Sequence, residues 1–292
     1  MNNNNVETYN PKSSKGALVT SRIFVYIALA IVAIICLFPF LMLIINSTKE
    51  NMEIKNAFKF TFGSNFMTNL KNAWNDASID IPRGMLNSFI IAAASAVLTT
   101  YFSALTAYGI HAYEFKGKKL AFTFIMAVMM IPPQCSAVGF IQMVNQLHLT
   151  NNWLPLIVPS VAAPVVFFYM KQYMDSVLPL EIIEAARVDG CNEFRTFNQI
   201  VIPIIKPAIA VQGIFSFVGS WNNYFTPALI LDKKELKTVP IMIAQLRSAD
   251  YSKFDYGKVY MFIILAIIPV VLVYLLLSKF IIKNVTAGAV KG

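Results

Sequence analysis

Charge is scarce in this sequence. Asp, Glu, Lys and Arg make up 13% of its 292 residues, against 57% hydrophobic residues. Soluble domains carry about 25% charged residues. The balance excludes an ordinary water-soluble domain and leaves an integral membrane protein. Cysteine is scarce as well. Cys36, Cys135 and Cys191 lie far apart, two of them in apolar runs, which excludes a disulfide framework and a cysteine metal site. The two histidines, His111 and His148, stand alone. They read as bystanders at helix ends, and no metal centre is expected. No G-x-x-x-x-G-K-[ST] occurs, so the chain has no P-loop with which to cradle ATP. Paired-carboxylate, His-rich and nucleophile-elbow motifs are missing too, which argues against a membrane enzyme. The net charge of +9 does not indicate nucleic acid. Its Lys and Arg residues are scattered between apolar segments, as in loops beside lipid headgroups.

What is present is a series of long uncharged runs. About 20 apolar residues cross a bilayer. Residues 1–22 are polar and lack periodicity, so a mobile tail is expected there. The run 23–45 follows as a first transmembrane helix. It is too long for a signal-peptide core and no small-residue cleavage site follows it. Five more spans are expected at about 86–110, 120–147, 153–170, 208–231 and 259–278, none containing Asp, Glu, Lys or Arg. The fold class is therefore all-α, with six transmembrane helices. The short loop after the second span holds Lys116, Lys118 and Lys119, whereas the short loop after the third holds no Lys or Arg. By the positive-inside rule the former is cytoplasmic. Both tails, 1–22 and 281–292, then face the cytoplasm, and loops 46–85 and 232–258 face outward. Prolines recur inside the runs and are expected to kink them.

The most polar long stretch of the second half is EAARVDGCNEFRTFNQIVIPIIKP, residues 184–207. Pro179 suits the first turn of a helix, and Glu181 and Glu184 suit its positive end. Ala185 and Ala186 let another surface approach closely. Gly190 suits a left-handed helix stop and Asn192 a second N-cap. Phe194, Phe197, Ile200 and Val201 then fall on one helical face, and Pro203 and Pro207 are expected to bend the chain toward the fifth span. The residues alone fit either a docking knob for a cytoplasmic partner or an ordinary connection folded on its own protein.

The same stretch, Glu184-Ala185-Ala186, then Asp189-Gly190, Phe197 and Ile200-Val201-Ile202-Pro203, resembles the EAA loop of ABC importer permeases. Cys191 and Ile202 depart from the usual Ala and Leu. Asn87-Ser88, the segment AYGIHAYEFKGKK, SWNNYF at 220–225 and the tail NVTAGAVKG at 284–292 are similar to the shorter six-span permease of the maltose-type carbohydrate branch. The resemblance implies a type I ABC importer transmembrane core over 83–280 and a coupling loop over 178–207 that docks on an ATP-binding subunit. The coupling residues would be Glu184, Ala185, Ala186, Asp189, Gly190, Phe197, Ile200 and Pro203. Thr286, Gly288 and Lys291 would reach the ATPase interface. It further implies a heterodimer with a second permease, two ATP-binding subunits and an extracytoplasmic solute-binding protein. This chain would be non-catalytic and bind no cofactor, with ATP and Mg on the partner. Its place would be the cell membrane.

Two polar stripes remain. Gln212, Ser216, Ser220 and Asn223 recur at helical spacing, with Trp221 and Asn222 beside them near mid-membrane. A buried amide in hydrocarbon must face protein or water, so this stripe is either interhelical packing or a sugar path. In the second span Ser95, Thr99, Ser103 and Thr106 read as packing. The expected function is permease of an oligosaccharide importer. The alternatives are an importer for another solute and, less favoured, a secondary transporter. The latter lacks support because the spans hold no ionisable residue and no inverted repeat is visible.

Overall fold

The computed structural model describes the backbone of residues 11–56, 59–247 and 255–289, and the side chains within 19–56, 59–132, 134–247 and 255–276. Among these residues every regular element is a helix. Five helical segments are long and apolar enough to cross a membrane, or six if one bent pair counts as a span. The described residues up to Leu70, with Asp255–Met261, form one unit, and Lys71 onward, with Phe262 and beyond, form another.

In the first unit, α1 (Pro11–Ser47) carries the first apolar run, with Val19–Ser47 as its membrane-length part. The helix extends well before residue 23. Once nucleated, a helix gains one backbone bond per added residue, and 11–22 continue it rather than forming the expected mobile tail. Residues 1–10 lie outside the described residues. Beyond α1 the chain folds back as α2 (Asn51–Asn56) and α3 (Phe66–Trp74). Buried Asn69 fastens this turn by donating to the carbonyls of Ser47 and Lys49 at 2.8 and 2.9 Å.

The second unit is built on α4 (Ile81–Ala112), 32 residues long. Asp80 caps it by accepting from the Arg83 N–H at 3.3 Å. One face of α4 is a column of buried small residues, including Ala92, Ala96, Ala104 and Ala107. Small side chains let helix backbones approach closely where lipid supplies no hydrophobic driving force. The expected packing role of the hydroxyl stripe on α4 is borne out at two positions. Thr99 donates to the Ser160 carbonyl at 2.9 Å and Ser103 reaches the Ala163 carbonyl at 3.5 Å. Thr106 bonds within α4, to the Phe102 carbonyl at 2.8 Å. The Ser95 hydroxyl is buried without a partner among the described residues.

The third span is not one helix. α5 (Lys118–Met129) and α6 (Ala137–Gln146, with a tight turn at Pro133–Ser136 before it) meet at 88°. Pro132-Pro133 removes two consecutive donors and forces the break. The fourth span runs from α7 (Leu154–Ile157) through a tight turn at Val158–Val161 to α8 (Pro164–Val177), so it reaches seven residues beyond the expected 170.

α9 (Leu180–Val188) follows, then α10 (Glu193–Arg195), a widened turn at Thr196–Val201, and α11 (Ile202–Trp221). Glu193–Trp221 is one membrane-length run. The helix of the fifth span therefore begins before 208 and stops at Trp221, and its first turns are the expected second helix of the loop. Pro203 and Pro207 do not turn it aside. The carbonyl four residues before Pro203 belongs to Gln199, inside the widened turn, where the missing bond and the ring crowding are taken up. The chain after Trp221 forms α12 (Phe225–Ile230) and α13 (Val239–Arg247), then the last span in α14 (Tyr256–Ala289).

Two cores result. Ala104, Tyr108, Phe167, Met170, Met174, Ile183, Phe197, Val201 and Ile205 pack α4, α8, α9 and α11 together. Ala92, Ala96, Phe217, Trp221, Val239 and Ala266 pack the other end of α4 against α11, α13 and α14.

Candidate functional site

The 178–207 stretch forms a hairpin. Pro179 takes the cap position, one residue earlier than the first turn, and α9 follows with Glu181 in its first turn. Its end is a Schellman stop. The Cys191 N–H donates to the Ala186 carbonyl at 2.9 Å and the Gly190 N–H to the Arg187 carbonyl at 3.1 Å. Gly190 has φ +79°, the left-handed region that glycine enters freely. Asn192 then caps α10, its side chain accepting from the Arg195 N–H at 2.8 Å.

The hairpin has a root and a tip. Ile183 and Phe197 are 1% exposed and Ala186 is buried; all three face the chain's own core. Phe197 stacks among aromatics, its ring 5.6 Å from Tyr101 and 5.5 Å from Tyr108. It anchors the hairpin and is not available to a partner, contrary to its placing among the coupling contacts. Glu184, Ala185, Asp189, Gly190 and Pro203 are exposed, and Ile200 is half-buried. At the tip, Val188 is 87% and Phe194 74% exposed.

Three residues that the sequence did not single out hold root and tip together. Glu193 accepts from Arg187 Nε at 2.7 Å and from the Tyr108 hydroxyl at 2.6 Å. The Arg187 guanidinium also lies 5.0 Å from the centre of the Tyr113 ring, within cation–π range. The bond to Glu193 holds the Arg187 pKa above its ordinary value. Burial, and then Glu193, raise that of Tyr113. His111 is not a bystander. One ring nitrogen lies 2.8 Å from Asp175 on α8 and the other 2.9 Å from the Leu178 carbonyl, where the hairpin begins. Lys171 pairs with the same Asp175 at 2.6 Å. No spacing in the sequence signals these contacts, because α4 brings Tyr108 and His111 from far along the chain.

The opposite end of α4 carries a second latch. The Asn87 side-chain amide donates to the carbonyls of Glu235 and Lys237 at 3.0 and 2.9 Å, and the Ser88 hydroxyl accepts from the Val239 N–H at 2.9 Å. Asn151 accepts from the N–H groups of Asp232 and Lys233 at 2.7 and 2.8 Å.

The polar stripe of the fifth span sits at and below the end of α11. Gln212 is buried, Ser216, Ser220 and Asn223 are half-buried, and Asn222 is exposed. The Ser216 hydroxyl is buried without a partner among the described residues. Trp221 is 2% exposed, stacks on Phe217 at 5.9 Å and donates to the Ala266 carbonyl at 3.1 Å. It is a packing residue, not a surface for a sugar ring. Asn222 caps the helix end, so it and Trp221 do not lie at the middle of the span. Asn223 accepts from the Thr226 N–H at 3.3 Å, opening α12.

The tail is helical through Ala289, which includes the backbone of Thr286 and Gly288; Lys291 lies outside the described residues. Among the described residues no three of His, Cys, Asp and Glu are grouped to hold a metal ion.

Comparison with known proteins gives three results. Residues 100–286 match the sequence model of the family described as binding-protein-dependent transport system inner membrane component. The chain is 31% identical over 277 residues to an arabinooligosaccharides transport system permease protein of Bacillus subtilis (strain 168), covering 93% of this chain and 96% of that one. It is also 31% identical to a trehalose/maltose transport system permease protein of Thermococcus litoralis, covering 94% and 98%. Among solved structures, a chain of a bacterial ABC transporter involved in import of the acidic polysaccharide alginate superposes with a TM-score of 0.78 at 19% identity, over 94% of this chain and 99% of that one. That likeness bears on the fold alone.

Proposed function

Since the chain belongs to the family of binding-protein-dependent transport system inner membrane components, we propose that it is the permease subunit of an oligosaccharide importer and that the Leu180–Val201 hairpin is its coupling element. The relatives named above are permeases for arabinooligosaccharides and for trehalose or maltose, which supports the sugar class. A permease of this family works with a second permease, an ATPase and a solute-binding protein. We assign two ATPase copies and a different permease as the second half. ATP and Mg belong to the ATPase, and both termini and the hairpin face the cytoplasm.

One observation carries the coupling role. The hairpin is rooted by Ile183, Ala186 and Phe197 yet presents Val188 and Phe194 almost fully to solvent. An ordinary connection would fold such side chains inward. An apolar tip on a rigid, capped turn fits a cleft in a partner. ATPase closure then moves the hairpin as a body, and Glu193 passes the movement to α4 through Tyr108. At the other end of the molecule the exposed Asn222 and half-buried Asn223 offer amides to sugar hydroxyls, with Gln212, Ser216 and Ser220 below them. Thr286, Gly288 and Lys291 remain assigned to the ATPase interface. The test is reconstitution of this chain with its ATPase, second permease and binding protein in vesicles. ATP-dependent uptake of an arabino- or malto-oligosaccharide is expected. Uptake of only a non-sugar solute would move the substrate class, and failure to co-purify any ATPase would end the coupling assignment.

A further inference from the structure

Beside the hairpin, the inner ends of α4, α5 and α8 leave a cleft of about 860 Å³. Its apolar lining includes buried Ile110, half-buried Phe122 and exposed Leu120, and its rim carries Lys118 and Lys119 beside Glu114, with Lys171 already paired to Asp175 at 2.6 Å. The Lys118–Glu114 pair is weakly held. Lys118 has a side chain 23% exposed, whereas Glu114 is 90% exposed, and an exposed ion pair contributes about 0–1 kcal/mol. Lys119 makes no hydrogen bond or ion pair among the described residues. α5 itself begins here behind Gly117, with no side-chain cap on its free N–H groups, which favours negative charge.

A second cavity, of about 350 Å³, lies along the same three elements. Ser103 and Thr106 on α4, Phe124, Ile125 and Val128 on α5, and Phe167 on α8 line it, and its wall is almost wholly apolar. Ser103 precedes Ile110 by seven residues, which places this cavity about 10 Å further along α4. Phe122 lines the cleft and Phe167 the recess, and their rings pack 6.1 Å apart between the two.

A cationic mouth at the headgroup level with an apolar recess one to two turns deeper matches one kind of molecule. We propose that this face is a binding site for one anionic phospholipid, its phosphate at Lys118 and Lys119 and an acyl chain in the recess of Phe124, Ile125 and Val128. A free phosphate would satisfy the lysines but leave the recess unused. The orientation proposed above enters only in assigning the lipid to the inner leaflet, since Tyr113, under Arg187 of the hairpin, lies at the same end of α4.

The test uses the assembled transporter in nanodiscs of phosphatidylcholine, titrated with spin-labelled phosphatidylglycerol, with the immobilised fraction read by electron paramagnetic resonance. One immobilised lipid per chain above the phosphatidylcholine background is expected. Lys118→Gln/Lys119→Gln should weaken it roughly thirtyfold, as the loss of two surface cations implies, while Lys118→Arg/Lys119→Arg should retain it. Val128→Trp fills the recess without touching charge and should abolish retention as well. Inorganic phosphate should not displace the label. Retention unaffected by the Gln pair, or by Val128→Trp, would overturn the proposal, and so would displacement by inorganic phosphate alone, which would make the site a phosphate site. Sugar uptake by each variant in phosphatidylcholine vesicles reports folding and the permease role separately.

Discussion

Glu193 takes bonds from two sides, and the two are unequal. The Arg187 pair is part exposed, 36% and 43% for the two side chains, and pairs of that kind contribute about 0–1 kcal/mol. Tyr108 is 3% exposed, and leaving a buried hydroxyl unpaired costs about 1–3 kcal/mol. The tyrosine bond outweighs the ion pair. Arg187→Ala is therefore expected to lower the unfolding midpoint of the transporter less than Glu193→Ala, with Glu193→Gln between them because its amide oxygen still accepts from Tyr108. ATP consumed per sugar imported should rise in the same order, and a larger effect from Arg187→Ala than from Glu193→Ala would refute the ranking. At Gly190 the constraint is the backbone alone, since nothing lies within 4 Å of an added Cβ. Gly190→Val should cost roughly 1–3 kcal/mol in strain, whereas Gly190→Asn should be nearly tolerated, because Asn enters the left-handed region far more readily than a β-branched residue. Equal loss of sugar uptake in both variants would show that the left-handed turn is not what matters there.

Elements punctuated by local chemistry were legible in the sequence, and those placed by tertiary packing were not. The Gly190 stop and the Asn192 cap are read within a few residues of themselves, and both stand. The bend between α5 and α6 was legible as a kink at Pro132-Pro133, and the structure makes it a break of 88°. Phe194 and Phe197 lie one turn apart on a single helical stripe, so periodicity treats them alike. Only the packing of α4 and α8 decides that one is 74% exposed and the other 1%. The fifth span was misplaced because residues 208–231 hold no charged residue and hydropathy outweighed the Asn222-Asn223 stop and Pro227, while the polar start at Glu193 reads as loop until its root is seen. The shift gives the α11 end a definite test. Asn222→Leu alters an exposed cap, so it should lower sugar uptake while basal ATP hydrolysis and complex yield stay at wild-type levels. Asn223→Leu also removes the bond that opens α12, and a lost cap costs about 1 kcal/mol, so it should lower both uptake and the unfolding midpoint. If Asn222→Leu transports as well as wild type, the stripe is packing.

Across the whole molecule α4 joins two fastenings at opposite ends of one membrane-length helix. Ser88 holds the Val239 N–H and Tyr108 holds Glu193. The 20 residues between them span about 30 Å of helix, the thickness of the hydrocarbon core. On the coupling role proposed above, a helix of that length with its small-residue face packed on α11 would carry displacement from the hairpin to the Ser88 latch without needing a flexible part. The input would then enter at the hairpin tip, and the proposed docking contact is the place to break it. Val188 and Phe194 are the exposed apolar groups there, and truncating a well-buried aromatic at an interface costs about 2 kcal/mol or more. Phe194→Ala should therefore lower ATPase co-purification about thirtyfold or more, by the usual tenfold per ~1.4 kcal/mol. Glu184→Lys changes an exposed charge, whose reach is screened over about 10 Å at 0.1 M salt. Its effect should be large at low salt and fade at high salt, whereas that of Phe194→Ala should persist. Neither residue lies in the buried core, so both variants should insert and show normal unfolding midpoints. The measurement is ATPase retention on the detergent-purified permease pair at two salt concentrations, with sugar uptake in vesicles alongside. Full retention and full uptake in Phe194→Ala would return the hairpin to the status of an ordinary connection, and a salt-independent Glu184→Lys defect would mean that its charge acts within the chain instead of at the ATPase surface.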